Sequence, residues 1–323
     1  MFIGTASAQE HSFRFASLTP EGGYIHEKHL RPFVEAVEDD SGGRIEIDLQ
    51  PVGVFGAPNK LYELVEAGIV DMAWTVQGYT SGRFPQSGVV ELPFLFDKAE
   101  TGSTLLWTMY EEGHFDRDYA TVKPLALYTH RPYGLFTTGP EVRQAEDLEG
   151  LKVRTPSAIV GQALTILGGT PVGMQVTEMA EALRLGTIDS SVFPWEAIDL
   201  FGLQDELTAL TDARIAAPRF MVIMNKARYE ALPDDLKAVI DDHAGLAFSS
   251  GIGAGLDRQE LKDKQRFAEM DGYTVIDLDP SVREIMEART ASVVDDWIAD
   301  VEGEGVDGEA LLARARDLIA ELE

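Results

Sequence analysis

At 323 residues the chain is long enough for two ordinary domains or one large one. Its formal net charge of −28, from 27 Lys and Arg against 55 Asp and Glu, opposes binding to a nucleic acid or an anionic membrane surface. There is no cysteine, which excludes disulfides, thiol catalysis and thiolate metal sites.

The first residues read MFIGTASAQ. Ala6-Ser7-Ala8 fits a cleavage pattern, so residues 1–8 are expected to be the remainder of a signal peptide, with Gln9 the first mature residue. The other reading is an N-terminus that contains Ala-Ser-Ala by chance. No apolar stretch approaches the ~20 residues that span a bilayer. The expected location is the periplasm.

Phe13 to Leu18 is an apolar run that stops at Thr19-Pro20-Glu21-Gly22-Gly23, a strand entering a glycine-rich turn. Tyr24 to Val37 carries Ile25, Leu30, Phe33 and Val37 at helical spacing. Arg44 to Leu49 alternates Ile45, Ile47 and Leu49 as a second strand. Strand, helix, strand opens an α/β domain.

An internal echo follows. Residues 63–71 read ELVEAGIVD and residues 181–189 read EALRLGTID. Gly68 and Gly186 sit where a helix ends on a left-handed residue, and Ile69-Val70 and Thr187-Ile188 are expected to begin strands. Beyond each Asp come apolar and aromatic residues: Trp74 in the first copy, Phe193 and Trp195 in the second. Ligands of open α/β sheets sit beyond the carboxyl ends of strands, so two such units would set two aromatic loops across a cleft.

Leu151 to Arg154 is a strand and Ile159 to Leu167 a short helix, with Ser157 as its N-cap. Thr177 is expected to cap the helix before Gly186. Arg219 to Asn225 is a strand, 233–270 a helical region with Gly251, Gly253 and Gly255 inside it, and Tyr273 to Leu278 a strand. Asp279-Pro280 starts a helix to about Val301, and Asp307 caps a last helix, Glu309 to Glu323. The helix-rich final third reads as bracing for two lobes. Gly251 to Gly255 lies in a helix, not after a strand, so it reads as close helix packing.

Catalytic motifs are absent: no G-x-S-x-G, H-E-x-x-H, P-loop or dinucleotide fingerprint. His26 and His29 stand at i and i+3 without an evident further ligand, so they read as surface or cleft-edge residues. Arg154 is the candidate of most interest. Its planar fork suits a carboxylate, and it leads into Thr155-Pro156-Ser157 and the start of a helix, whose N-terminus favours negative charge. The alternative is a surface pair with one of the many acids.

Several stretches resemble the substrate-binding proteins of TRAP transporters, the DctP-type family. Asp147-Leu148-Glu149-Gly150-Leu151-Lys152-Val153-Arg154 is similar to the family's D-L-x-G-L-K-[IV]-R block. Within Glu181 to Asp189, Ala182-Leu183, Gly186, Ile188 and Asp189 are similar to the A-L-x-x-G-x-[IV]-D part of another family block. Glu91 to Phe96, and Val222 to Lys226 with Leu232-Pro233, match weaker stretches, and the likeness runs over about residues 12–300. The resemblance implies an α/β, two-lobed periplasmic-binding-protein fold with hinge strands and a long helix touching both lobes. It implies one lobe from 9–131 with 217–258 and a second from 132–216 with 259–323. It implies that Arg154 holds a carboxylate, that closure is hinged, and that the partners are a small and a large permease subunit in the membrane.

One departure bears on the ligand. Where many members carry an Asn after the conserved Asp, this chain has Ser190-Ser191-Val192-Phe193-Pro194-Trp195. Phe193 and Trp195 would form either an apolar wall or ordinary core. With Trp74, Tyr79 and Tyr133, and with Arg131 as a second positive group, the expected ligand is an organic acid with an aromatic or apolar body. Pro156 and Ser157 complete the expected site. No cofactor or metal is expected; a metal bridging ligand and protein through Glu196 is the alternative. The expected protein is a monomeric, non-enzymatic solute receptor. A two-lobed enzyme acting on a small carboxylate and a receptor for a membrane sensor are the competing readings.

Overall fold

The computed structural model describes residues 9–322, so the Ala6-Ser7-Ala8 expectation lies outside the described residues. The chain begins with β1 (His11–Ala16), a π-helical turn (His26–Leu30), α1 (Arg31–Asp40) and β2 (Ile45–Gln50). It continues with α2 (Leu61–Glu66), β3 (Met72–Val76), α3 (Ala99–Glu111) and β4 (Val122–Thr129). Then come β5 (Gly134–Thr137), β6 (Lys152–Thr155), α4 (Ala158–Ile166), β7 (Thr170–Gly173), α5 (Met179–Arg184), β8 (Ser190–Phe193) and β9 (Ala209–Asp212). The last third holds β10 (Arg219–Asn225), α6 (Lys226–Glu230), α7 (Asp234–His243), α8 (Leu246–Glu269), β11 (Thr274–Asp277), α9 (Pro280–Gly303) and α10 (Gly308–Leu322).

Two sheets form, ordered β2-β1-β3-β10-β4 and β11-β9-β5-β8-β6-β7. In each, a parallel βαβ core meets a strand running the other way: β10 is antiparallel to β3 and β4, and β5 to β8 and β9. β10 follows the second sheet in sequence yet pairs within the first, and β11 returns to the second. The chain therefore passes between two lobes three times, near 130–133, near 213–218 and along α8.

The internal echo is architectural. Gly68 and Gly186 have φ of 69° and 66°, and each ends its helix in the same way. Asp71 and Asp189 then do the same work in each lobe. The Asp71 carboxylate accepts from Arg14 N at 2.9 Å, and the Asp189 carboxylate accepts from Lys152 N at 3.0 Å. Each acid thereby ties the start of its own strand to the neighbouring parallel strand. The strands begin at Met72 and Ser190, later than expected, because the intervening N–H groups close the helices: Ile69 N donates to Leu64 O and Thr187 N to Ala182 O, both at 2.9 Å.

Two other expectations change. The helical region over 233–270 is two helices, because Gly245 adopts φ 87° between α7 and α8. Thr177 is not a cap; it lies inside a short turn (Val176–Glu178) that Gln175 and Glu178 cap reciprocally. Ser157, Asp279 and Asp307 do cap their helices, accepting from Val160 N, Ser281 N and Ala310 N.

The long helix α8 joins both sheets. Near its start it fits closely against α3: a Cβ at Gly253 would lie 2.5 Å from Ala99 O. Asp257 caps α3, accepting from Ala99 N at 2.9 Å and Glu100 N at 3.0 Å. Further on, Lys264 Nζ lies 2.7 Å from Asp212 at the end of β9. The C-terminal helices brace both lobes. α9 packs on α4, its Trp297 donates to Pro85 O, and Arg314 on α10 pairs at 2.6 Å with Glu112, the C-cap residue of α3. The final segment is thus shared between lobes and does not belong to the second alone.

Candidate functional site

A narrow cavity of about 40 Å3 lies between the lobes. The first lobe supplies Thr19 and Tyr24 from the turn after β1, Trp74 on β3, Tyr79 beyond it, His130 beyond β4 and Phe220 on β10. The second supplies Arg154 and Pro156 at the end of β6, Val176, Phe193 at the end of β8, and Pro194, Glu196, Ala197, Leu200 and Phe201 beyond it. The two equivalent β-strand ends thus face each other, as the echo implied, across a mostly apolar lining with few polar groups, the kind of site that takes a small organic molecule.

Arg154 occupies the second lobe's side. It is only 2% exposed, yet no carboxylate among the described residues pairs with it. Its Nε donates to Met174 O at 3.1 Å and its Nη2 to the Tyr79 hydroxyl at 3.0 Å. Val176 N donates to the same hydroxyl at 3.1 Å. One Tyr79 oxygen of the first lobe therefore holds two N–H groups of the second, and its own proton stays free to reach into the cavity. Burial of an unpaired cation costs several kcal/mol, so this arrangement calls for an anion from outside.

Arg219, the other buried arginine, makes the contrast. Its Nε and Nη2 donate to Glu91 Oε2 at 3.1 and 3.0 Å, and its Nη1 reaches Gln77, Phe84 O and Ser87. It is fully engaged in structure.

The walls are aromatic. The Arg154 guanidinium lies 6.0 Å from the Phe193 ring centroid, Phe193 packs on Tyr133 at 6.4 Å, Tyr133 on His130 at 5.6 Å, and His130 on Phe220 at 4.7 Å. Trp74 adds its face while its Nε1 donates to the Tyr128 hydroxyl at 2.7 Å. His130 contacts two buried acids, Glu260 Oε1 at 3.3 Å and Glu196 Oε1 at 3.8 Å. Burial lowers the His130 imidazole to about 4 and lifts the Glu196 carboxyl to about 7, and it pushes Glu260 well up. His130 and Glu196 are thus mostly uncharged near pH 6, which suits a site with so few charges.

Of the residues expected from sequence, Arg154, Phe193, Tyr79, Trp74, Tyr133 and Pro156 line this cavity. Trp195 does not. Its ring packs on Phe136 at 4.7 Å and Phe267 at 6.3 Å, inside the second lobe, because the next residue, Glu196, takes the cavity-facing position. Arg131 also stays outside, 3.4 Å from Asp257 on α8. Ser157 caps α4 and lines a neighbouring groove. His26 Nδ1 lies 3.3 Å from Ser17 Oγ, and His29 stacks edge-on to Tyr24. Among the described residues no cluster of three His, Asp or Glu is placed to hold a metal. Thr19, Tyr24, His130 and Phe220 were not singled out beforehand.

The lobes touch at the mouth. A Cβ on Gly78 would lie 2.6 Å from Pro156 O and 2.8 Å from Ser157 Cβ, and one on Gly23 would lie 2.9 Å from Leu200 Cδ2. The structure is therefore closed. Gly78→Val is expected to hold the lobes apart and weaken ligand binding at least tenfold without lowering the melting temperature of the empty protein. Unchanged affinity by calorimetry would show that closure does not need this contact.

Comparison with known proteins agrees with this geometry. Residues 15–300 match the model of bacterial extracellular solute-binding protein family 7, DctP. A marine metagenome TRAP solute-binding protein specific for aromatic acid ligands, solved with 3-hydroxybenzoate, is 35% identical, with a TM-score of 0.92 over 97% of this chain and 99% of that one. A TRAP solute-binding protein from Rhodoferax ferrireducens, solved with copurified benzoate, is 31% identical, with a TM-score of 0.90 over 96% and 98%. A third from Bordetella bronchiseptica, with bound mandelate, is 25% identical, with a TM-score of 0.88 over 97% and 99%. These relatives are solute receptors, and among the described residues no helix here is long and apolar enough to cross a membrane. A family match over nearly the whole chain, joined to two lobes closed on a cavity with an unpaired arginine, makes this chain a member of the DctP family of TRAP solute-binding proteins.

Proposed function

We propose that the protein captures an aromatic carboxylate in the periplasm, closes on it, and delivers it to the small and large membrane subunits of a TRAP permease. The carrying observation is the buried Arg154, unpaired with any acid of the described chain, at one end of a cavity walled by Trp74, Tyr133, Phe193 and Phe220. A carboxylate there would accept two parallel hydrogen bonds from the guanidinium and one from Tyr79, while its ring replaces water against aromatic faces. The ligands seen in the three relatives support this choice of substrate class. The hinge lies at the three crossings, with the lobes built from 9–131 with 217–258 and from 132–216 onward, and with the C-terminal helices bracing both. Residues 1–8 serve as export signal on this reading.

A thermal-shift series tests the substrate class. Benzoate, phenylacetate and mandelate at a hundredfold excess over Kd are expected to stabilise the protein by about 2.7 kcal/mol, and succinate and glucuronate by much less. A panel in which no aromatic acid raises the melting temperature, or in which the aliphatic acids do so equally, overturns the proposal.

A further inference from the structure

The cavity has a second polar pole that the carboxylate does not use. Glu196 Oε2 is buried and has no hydrogen-bond partner, and the Glu196 side chain is only 8% exposed. Its other oxygen is 3.8 Å from His130 Nδ1, beyond hydrogen-bond range. Thr19 Oγ1, from the opposite lobe, is likewise buried and unpartnered. Both residues line the same cavity as Arg154. Buried polar atoms are satisfied in nearly all native structures, and two orphans converging on one ligand cavity from two lobes point to a partner carried by the ligand.

We infer that the ligand bears a hydroxyl group as well as its carboxylate, and that Glu196 and Thr19 receive it. The aromatic wall separates the two poles: contacts run from Arg154 through Phe193 and Tyr133 to His130, which adjoins Glu196. On this reading a benzene ring spans the two poles, with its carboxylate on Arg154 and a ring or side-chain hydroxyl at Glu196. A phenol or alcohol both donates and accepts, so one group can satisfy a carboxyl oxygen and a threonine hydroxyl together. Glu196 and Thr19 are then specificity-determining residues. A site built to hydrogen-bond a hydroxyl rejects the analogue that lacks it, because its own buried groups go unpaired.

The inference rests on the carboxylate site proposed above, and one calorimetric series at pH 6 separates the two. The probes are benzoate, 3-hydroxybenzoate and 4-hydroxybenzoate. At least one hydroxylated acid is expected to bind tenfold or more tightly than benzoate, and in Glu196→Leu and Thr19→Val that ratio is expected to fall toward one. Glu196→Gln, which keeps size and polarity, is expected to retain part of it and guards against a variant that merely misfolds. Equal binding of all three acids to the natural protein overturns the inference while leaving the carboxylate site standing. A preference that survives in both Glu196→Leu and Thr19→Val also overturns it. Failure of every acid to bind overturns the site itself.

Discussion

Arg154→Met is expected to lower the affinity for an aromatic carboxylate at least a hundredfold, while changing the stability of the empty protein by no more than about 1 kcal/mol. The two effects part company because of what surrounds the guanidinium. Within the chain its partners in the closed form are one carbonyl, Met174 O, and one hydroxyl, Tyr79. Losing those hydrogen bonds from a charged donor costs about 1.5–3 kcal/mol each, and removing a buried cation that no acid neutralises returns a similar amount. In the complex the same side chain would carry a charge-assisted, bidentate bond, and its loss leaves a carboxylate buried without a counter-charge, a cost of several kcal/mol. Calorimetric titration with benzoate and a urea melt of the empty protein check the two halves separately. Binding that survives within tenfold removes Arg154 from the site.

The same substitution at Arg219 is expected to act the other way, lowering stability by about 3–5 kcal/mol. Glu91 is 1% exposed, and the fork of Arg219 is its recorded partner. Methionine there would strand that carboxylate together with Gln77 and Ser87, and β10 would lose its tie to the turn over Gln86–Glu91. Urea denaturation of the empty protein measures it, and a loss below 1 kcal/mol would show that Glu91 finds another partner or a proton. Arg154→Met and Arg219→Met thus compare two arginines of nearly equal burial that differ in whether the chain itself supplies the acid.

That difference was only half legible in the sequence. Arg154 could be found because it ends a strand and precedes a helix N-terminus, a local arrangement that primary structure records. Arg219 could not be excluded as a rival on local grounds, because its partners lie more than 125 residues away. The echo was readable because Gly68 and Gly186, each followed two residues later by a β-branched residue and an Asp, meet a backbone requirement that few other residues meet. Thr19 and Tyr24 belong to the same logic, since they follow the carboxyl end of β1, and the glycine-rich turn there was the available signal. His130 and Phe220 had none: each reaches the cavity through a lobe crossing or a returning strand, which only three-dimensional pairing reveals. Trp195 shows the limit of composition as a guide. Two aromatic residues on one loop suggested one wall, yet the turn that begins at Trp195 leaves the Phe193 ring in the cavity and sends the Trp195 ring into the interior.

The Tyr79 hydroxyl spans the gap between the halves, accepting one hydrogen bond from Arg154 and another from Val176. With nothing bound, shutting would seal a bare positive charge away from water for the sake of those two contacts. With an anion aboard, the same movement neutralises that charge. On the proposed reading the vacant receptor is therefore biased to stay ajar and the loaded one to latch, so that its outline alone announces whether it carries cargo.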